Sequence, residues 1–146
     1  MSKKFNCIFI TTCIILLFSC TTNSNNRSPQ DTIKRYERFV QEMKADSIAQ
    51  LFTENAEIGH ENQKTIRGRD SIFNFLSSFK NVKMISNHDS VVSVFTKKDS
   101  ATIEGIYNQS VLISGKDSMH VSGKFTANLV RNKREWLIWK MKTRSM

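Results

Sequence analysis

The dominant spacing of apolar residues changes near Val82 from helical to alternating, and that change limits what the chain can fold into. Up to Phe79 the apolar side chains recur at helical spacing, and from Val82 onward they alternate. An amphipathic helix buries one stripe and an alternating strand buries one face. A helical block followed by a strand block therefore predicts helices packed on one face of a sheet, an α+β layout.

The helical block opens at Ser28-Pro29-Gln30-Asp31, with Ser28 as N-cap, Pro29 at the first helical position and Asp31 complementing the helix dipole. Ile33, Tyr36, Val40 and Met43 form its stripe, widened by Phe39, while Lys34, Arg35, Arg38 and Lys44 lie mostly opposite. Asp46 is read as the cap of a short second helix carrying Ile48, Leu51 and Phe52. Ala56 to His60 reads as a strand, with Gln63 to Arg67 as its short partner. After a turn at Gly68, Asp70 is read as the cap of a third helix with Ile72, Phe75, Leu76 and Phe79 in its stripe.

In the strand block, Ser86-Asn87-His88-Asp89-Ser90 is polar enough to read as a solvated bend before a strand from Val91 to Thr96. Turns at Lys97–Ser100, Gly115–Asp117 and Arg131–Glu135 separate the later strands. Ala101, Ile103, Gly105 and Tyr107 share one face of the next strand. Met119, Val121, Gly123, Phe125, Ala127 and Leu129 share one face of a longer strand, with His120, Ser122, Lys124, Thr126 and Asn128 on the other. In the last strand the alternation puts Trp136 and Ile138 on one face and Leu137, Trp139 and Met141 on the other. A strand apolar on both faces needs cover on both, which motivates a homodimer through the sheet. The expected fold is three N-terminal helices on a curved, mostly antiparallel sheet, a cone-shaped barrel with a cavity.

Ahead of this lies MSKKFNCIFITTCIILLFSC: Lys3 and Lys4, then an apolar run from Cys7 to Phe18. That run is too short to cross a hydrocarbon core and suits a secretory leader. Leu17-Phe18-Ser19-Cys20 resembles the lipobox of bacterial lipoproteins, with Phe18 bulkier than usual there. The resemblance implies a leader at 1–19, acylation of Cys20 by chains such as palmitate, a polar tether at 20–28 and one domain at 29–146. It also implies a lipid-anchored envelope protein at the outer membrane facing the periplasm. A secreted protein cut at Ser19 is the plainer reading.

With Cys7 and Cys13 removed and Cys20 acylated, the domain has no disulfide, thiol nucleophile or cysteine metal site. The formal charge of +9 drops by two when Lys3 and Lys4 leave. In an envelope protein that excess does not indicate nucleic acid; a basic solvated surface explains it. Arg131, Lys133, Arg134, Lys140, Lys142 and Arg144 gather charge near the last hairpin, which leaves a surface-adhering module open.

Three segments carry a further resemblance: KADSIAQLFTENAEI, TIRGRDSIFNFL and GKFTANLVRNKREWLIWKMKTRSM. In order and spacing they resemble the SnoaL-like and nuclear-transport-factor-2-like superfamily, and with the first helix they span nearly all of 29–146. That superfamily holds isomerases, cyclases, dehydratase-like proteins and domains without known activity, so the fold alone implies little function. By resemblance to ketosteroid isomerase aligned on Leu51-Phe52, the base position falls on His60. The oxyanion tyrosine falls on Tyr36 or, aligned on Asp46, on Arg38. The strand from Met119 to Leu129 offers no counterpart for the protonated aspartate.

A histidine near its ordinary pKa of about 6.5 can move protons at neutral pH, and a phenol can steady developing negative charge. His60 with Tyr36 is thus the candidate catalytic pair. Against it stands a His60 ring bonded to loop backbone and a Tyr36 in the core. Phe52, Phe79, Tyr107, Phe125 and Trp136 are the candidate lining of an apolar ligand pocket. No histidine pair has metal-ligand spacing, and there is no Gly-rich phosphate loop or nucleophilic serine elbow, so no metal or cofactor is expected. The leading expectation is a non-catalytic domain binding a small apolar or amphipathic ligand or a protein partner. The alternative is an isomerase- or dehydratase-type enzyme with His60 as base.

Overall fold

The computed structural model describes residues 27–146; the leader, Cys20 and most of the tether lie outside the described residues. The chain forms helices α1 (Pro29–Gln41), α2 (Ala45–Ala49) and α3 (Arg69–Ser77). Its strands are β1 (Phe52–His60), β2 (Ile66–Arg67), β3 (Val82–Lys97), β4 (Ser100–Ile113), β5 (Asp117–Asn132) and β6 (Glu135–Ser145). None of the described helices is long and apolar enough to cross a membrane.

The start of α1 follows its sequence closely. The Ser28 hydroxyl accepts from the backbone N–H of Asp31, and the Asp31 carboxylate accepts from the backbone N–H of Ser28, a reciprocal cap. The Ser28 backbone N–H, and after it the Ser28 hydroxyl donating to the same carboxylate oxygen at 2.9 Å, hold the Asp31 carboxyl below its ordinary value. The other two caps differ from expectation. Lys44 and Gly68 occupy the N-cap positions of α2 and α3, and Asp46 and Asp70 sit in the first turn as charges favourable to the helix dipole. Gly68 takes φ +88°, a conformation that costs a side-chain-bearing residue energy and leaves glycine free.

The strands form one curved six-stranded sheet in the order β2-β1-β6-β5-β4-β3. All neighbours are antiparallel except β1 and β6, which run parallel. The sheet keeps two edges, β2 and β3, so the expected barrel is corrected to an open cone. The helices cover the inner face, where Ile33, Ile72, Phe52, Ile103, Leu129 and Ile138 build the core. The Thr32 hydroxyl, buried in that layer, donates to the Trp136 carbonyl at 2.8 Å and ties α1 to β6.

Two departures from strict alternation matter. In β6 the register against β5 slips: Leu129 pairs with Ile138 and Asn128 with Lys140, leaving Trp139 as the extra residue of a bulge. Met141 is thereby returned to the inner face and buried, while Trp139 is 42% exposed outside. The polar stretch Ser86–Ser90 is not a bend: it lies in the middle of β3 and is paired along its length with β4.

Candidate functional site

Between the helices and the sheet lies a cavity of about 660 Å³, a size typical of small-molecule sites. Ile48, Ile58, Leu76, Met84, Val111 and Met141 give it apolar walls. Met43, Phe75, Phe79 and Met119, all substantially exposed, stand at its rim. The rings of Phe75 and Phe79 pack edge to face, their centres 5.0 Å apart.

Of the residues singled out in the sequence, Tyr36, His60, Phe79, Tyr107 and Phe125 reach the cavity wall. Phe52 and Trp136 are placed elsewhere. Phe52 is fully buried in the core, where it meets the Tyr36 ring edge-on at 6.2 Å. Trp136 is sealed beneath the Arg131 guanidinium, which lies 4.8 Å from its ring centre. The polar side of β5 faces outward; His120 there meets Ser110 Oγ at 2.8 Å through Nδ1.

His60 ends β1. Its Nδ1 lies 2.9 Å from the Glu61 carbonyl, which can only accept, so Nδ1 carries the proton. In the neutral ring Nε2 then holds the lone pair and accepts from the Ser145 hydroxyl at 3.2 Å.

The sequence reading missed Asp89. Its place in β3, directly opposite Tyr107 in β4, turns its side chain to the inner face and into the cavity wall. Tyr36 reaches the same wall from α1. Burial in this apolar setting raises the Asp89 carboxyl from 3.8 to about 7; the negative charge of Glu37 adds to the rise and His88 opposes it. Burial, then the neighbouring Asp89 and Tyr107, push the Tyr36 phenol well above its ordinary value, and burial raises Tyr107 as well. Three ionisable oxygens thus share one cavity wall, all biased toward keeping their protons. The available signal was the alternation Asn87-x-Asp89-x-Val91, hidden because its polar residues suggest a loop.

Two glycines make room for this wall. A Cβ on Gly105 would sit 2.4 Å from the Phe125 ring, and one on Gly123 would sit 2.5 Å from the Tyr107 hydroxyl oxygen. The two aromatic rings lie flat across their glycine partners on the neighbouring strand. Among the described residues no group of three or more His, Cys, Asp or Glu converges as a metal site.

Fold and cavity define an open cone domain with an apolar pocket and a protonatable wall. The SnoaL-like domain model matches residues 27–142, and the chain belongs to that family. Solved structures agree on the fold. A ketosteroid isomerase-like protein from Erwinia carotovora superposes with a TM-score of 0.72 at 12% identity, covering 80% of this chain and 92% of that one. A protein from Novosphingobium aromaticivorans provisionally named scytalone dehydratase gives 0.71 at 16% identity, covering 80% of each chain. A nuclear-transport-factor-2-like protein with a cystatin-like fold from the same organism gives 0.63 at 15% identity, covering 80% of this chain and 78% of that one. A comparison with curated protein sequences finds no match.

The expectation of a non-catalytic binding domain is corrected at this point. The family match and the isomerase-like and dehydratase names among its structural neighbours favour the enzyme alternative.

Proposed function

We propose that this chain is an isomerase- or dehydratase-type enzyme acting on a small, largely apolar carbonyl compound in the cone cavity. One observation carries the reading: Asp89, a carboxyl group with a pKa of about 7, lies in the wall of a largely apolar cavity that the phenols Tyr36 and Tyr107 also line. In the carboxylate form Asp89 takes a proton from the carbon next to the carbonyl. The C–H electron pair becomes the enolate double bond, and the carbonyl pair moves to oxygen, where the Tyr36 hydroxyl donates a hydrogen bond. Returning the proton to another carbon of a conjugated enolate completes an isomerisation. Alternatively the enolate collapses, a β-hydroxyl leaves with the C–O pair, takes the Asp89 proton and departs as water.

The test is hydrogen–deuterium exchange at the α-carbon of small apolar ketones in deuterated buffer, followed by NMR. Asp89→Asn is expected to lower the exchange rate by about 10²-fold or more. Wild-type protein that exchanges none of a chemically broad panel would overturn the reading. His60 as base is the second reading, favoured by the Glu61 contact on Nδ1, which leaves the basic lone pair on Nε2, where it accepts from the Ser145 hydroxyl. It predicts the large loss in His60→Ala instead.

We also propose that the enzyme is held at the cell envelope by acylated Cys20, a reading supported by the lipobox-like Leu17-Phe18-Ser19-Cys20 ahead of the domain. Cys20→Ala is then expected to abolish metabolic labelling with palmitate and release the protein from membranes. A second copy is the proposed cover for the outer sheet face, where Trp139 is 42% and Phe95 67% exposed. A monomeric mass by light scattering at micromolar concentration would overturn that part.

A further inference from the structure

Asp89 is addressed from behind by a residue that does not line the cavity. The β3 strand is a sheet edge, and α1 runs beside it. One oxygen of the Glu37 carboxylate, Oε1, accepts the backbone N–H of Asp89 at 3.1 Å. The same oxygen lies 3.3 Å from Nδ1 of His88, whose Nε2 is 3.3 Å from the Ser90 hydroxyl. The helix–strand contact is pinned a second time. Asn87 Nδ2 donates to the Glu37 carbonyl at 3.0 Å, and Gln109 Nε2 donates to Asn87 Oδ1 at 2.9 Å.

We propose that Glu37 is the positioning residue for Asp89: its carboxylate fixes the Asp89 backbone and, with His88, governs how readily Asp89 releases its proton. The inference rests on the reading of Asp89 as the proton carrier, and adds a regulatory layer outside the cavity.

The physical argument is one of unbalanced charge. Glu37 is about one quarter exposed, so its charge is only partly screened by water. While His88 is neutral, that charge stands uncompensated beside Asp89 and favours its protonated form. When His88 is protonated, it pairs with Glu37 and adds positive charge, and both effects favour the Asp89 carboxylate. The other ionisable groups lining the cavity with Asp89 are Tyr36 on α1 and Tyr107 on β4, both with their protons held by burial, together with His60 at the end of β1 and Lys64 before β2, and neither variant below alters them. Proton binding at exposed His88 is thereby linked to proton loss at enclosed Asp89. The linkage keeps Asp89 partly ionised under conditions that would otherwise protonate it.

The test reads the Asp89 side-chain carboxyl by ¹³C NMR across pH, with Asp89→Asn to assign the resonance and no substrate present. Glu37→Gln keeps an oxygen that can accept the Asp89 N–H and removes only the charge. Its expected effect is a fall in the Asp89 midpoint of about half a unit to one unit. His88→Asn removes the compensating cation, and the midpoint is expected to rise by a few tenths of a unit. A Glu37 that merely joined α1 to β3 would change the melting temperature in Glu37→Gln and leave the Asp89 titration where it was. That unchanged midpoint overturns the proposal; if Glu37→Gln fails to fold, an unchanged midpoint in His88→Asn does so. Because the titration needs no turnover, an active Asp89→Asn would sink the catalytic reading and leave this one standing.

Discussion

Tyr107 and Gly123 face each other across β4 and β5, and the phenol lies where a Gly123 side chain would be. A Cβ there would come within 2.5 Å of the hydroxyl oxygen and 2.2 Å of the Arg144 carbonyl. Backbone cannot yield as a flexible side chain can. Gly123→Ala is therefore expected to destabilise the fold by about 1–3 kcal/mol and to push Tyr107 away from Asp89. Urea denaturation checks the first effect, and loss of affinity for apolar ketones checks the second. A variant as stable as wild type would contradict the geometry.

Asp89 also imposes a pH dependence on stability. Its folded value of about 7 lies above the ordinary 3.8, so between those values the folded state binds more protons than the unfolded one. Stability from this group is fully present below about pH 3.8 and is lost as pH rises through about 7. The loss is roughly 2–4 kcal/mol, from about 1.4 kcal/mol per unit with allowance for screening. Asp31, Glu42 and Glu57 are shifted downward and act in the opposite sense, contributing above their unfolded values and losing stability as pH falls. Comparing wild type with Asp89→Asn cancels those groups. The variant is expected to match wild type near pH 4 and to exceed it at pH 8, read by denaturant midpoints.

What the sequence conveyed and what it concealed divide along physical lines. The Ser28–Asp31 cap and the inner faces of β4 and β5 were legible, because local hydrogen bonding and strict alternation fix them. The face of Met141 was not, because the bulge at Trp139 resets the alternation and depends on pairing with a distant strand. Asp89 was concealed for a related reason. A run of Ser, Asn, His and Asp has weak strand propensity, and only β4 and α1, docking on it, make it a strand. Phe52 and Trp136 failed as pocket residues because a buried aromatic looks the same in sequence whether it meets a cavity or the core.

The bond from Thr32 to the Trp136 carbonyl is the buried polar link between α1 and the sheet. Thr32→Val keeps the shape and leaves that carbonyl without its donor. A cost of about 1–3 kcal/mol follows from the unmet desolvation of the carbonyl. Thr32→Ser, which retains the hydroxyl, is expected to recover a large part of that loss. If both variants lose the same stability, packing by the methyl group outweighs the hydrogen bond.

The pH dependence of turnover separates the two candidate bases, because their surroundings differ. Asp89 must be ionised to abstract a proton, so α-carbon exchange is expected to fall about tenfold per pH unit below roughly 7 and to level off above it. In His60→Ala that limb is expected to persist at nearly the wild-type rate. Ser145→Ala frees Nε2 of His60 from its hydroxyl partner while leaving the Glu61 contact on Nδ1 in place. If His60 were the base, that variant would exchange at least as fast as wild type and His60→Ala would lose the limb altogether. If Asp89 is the base, Ser145→Ala leaves both the rate and the midpoint near pH 7 unchanged, whereas changes at Glu37 or His88 move the midpoint.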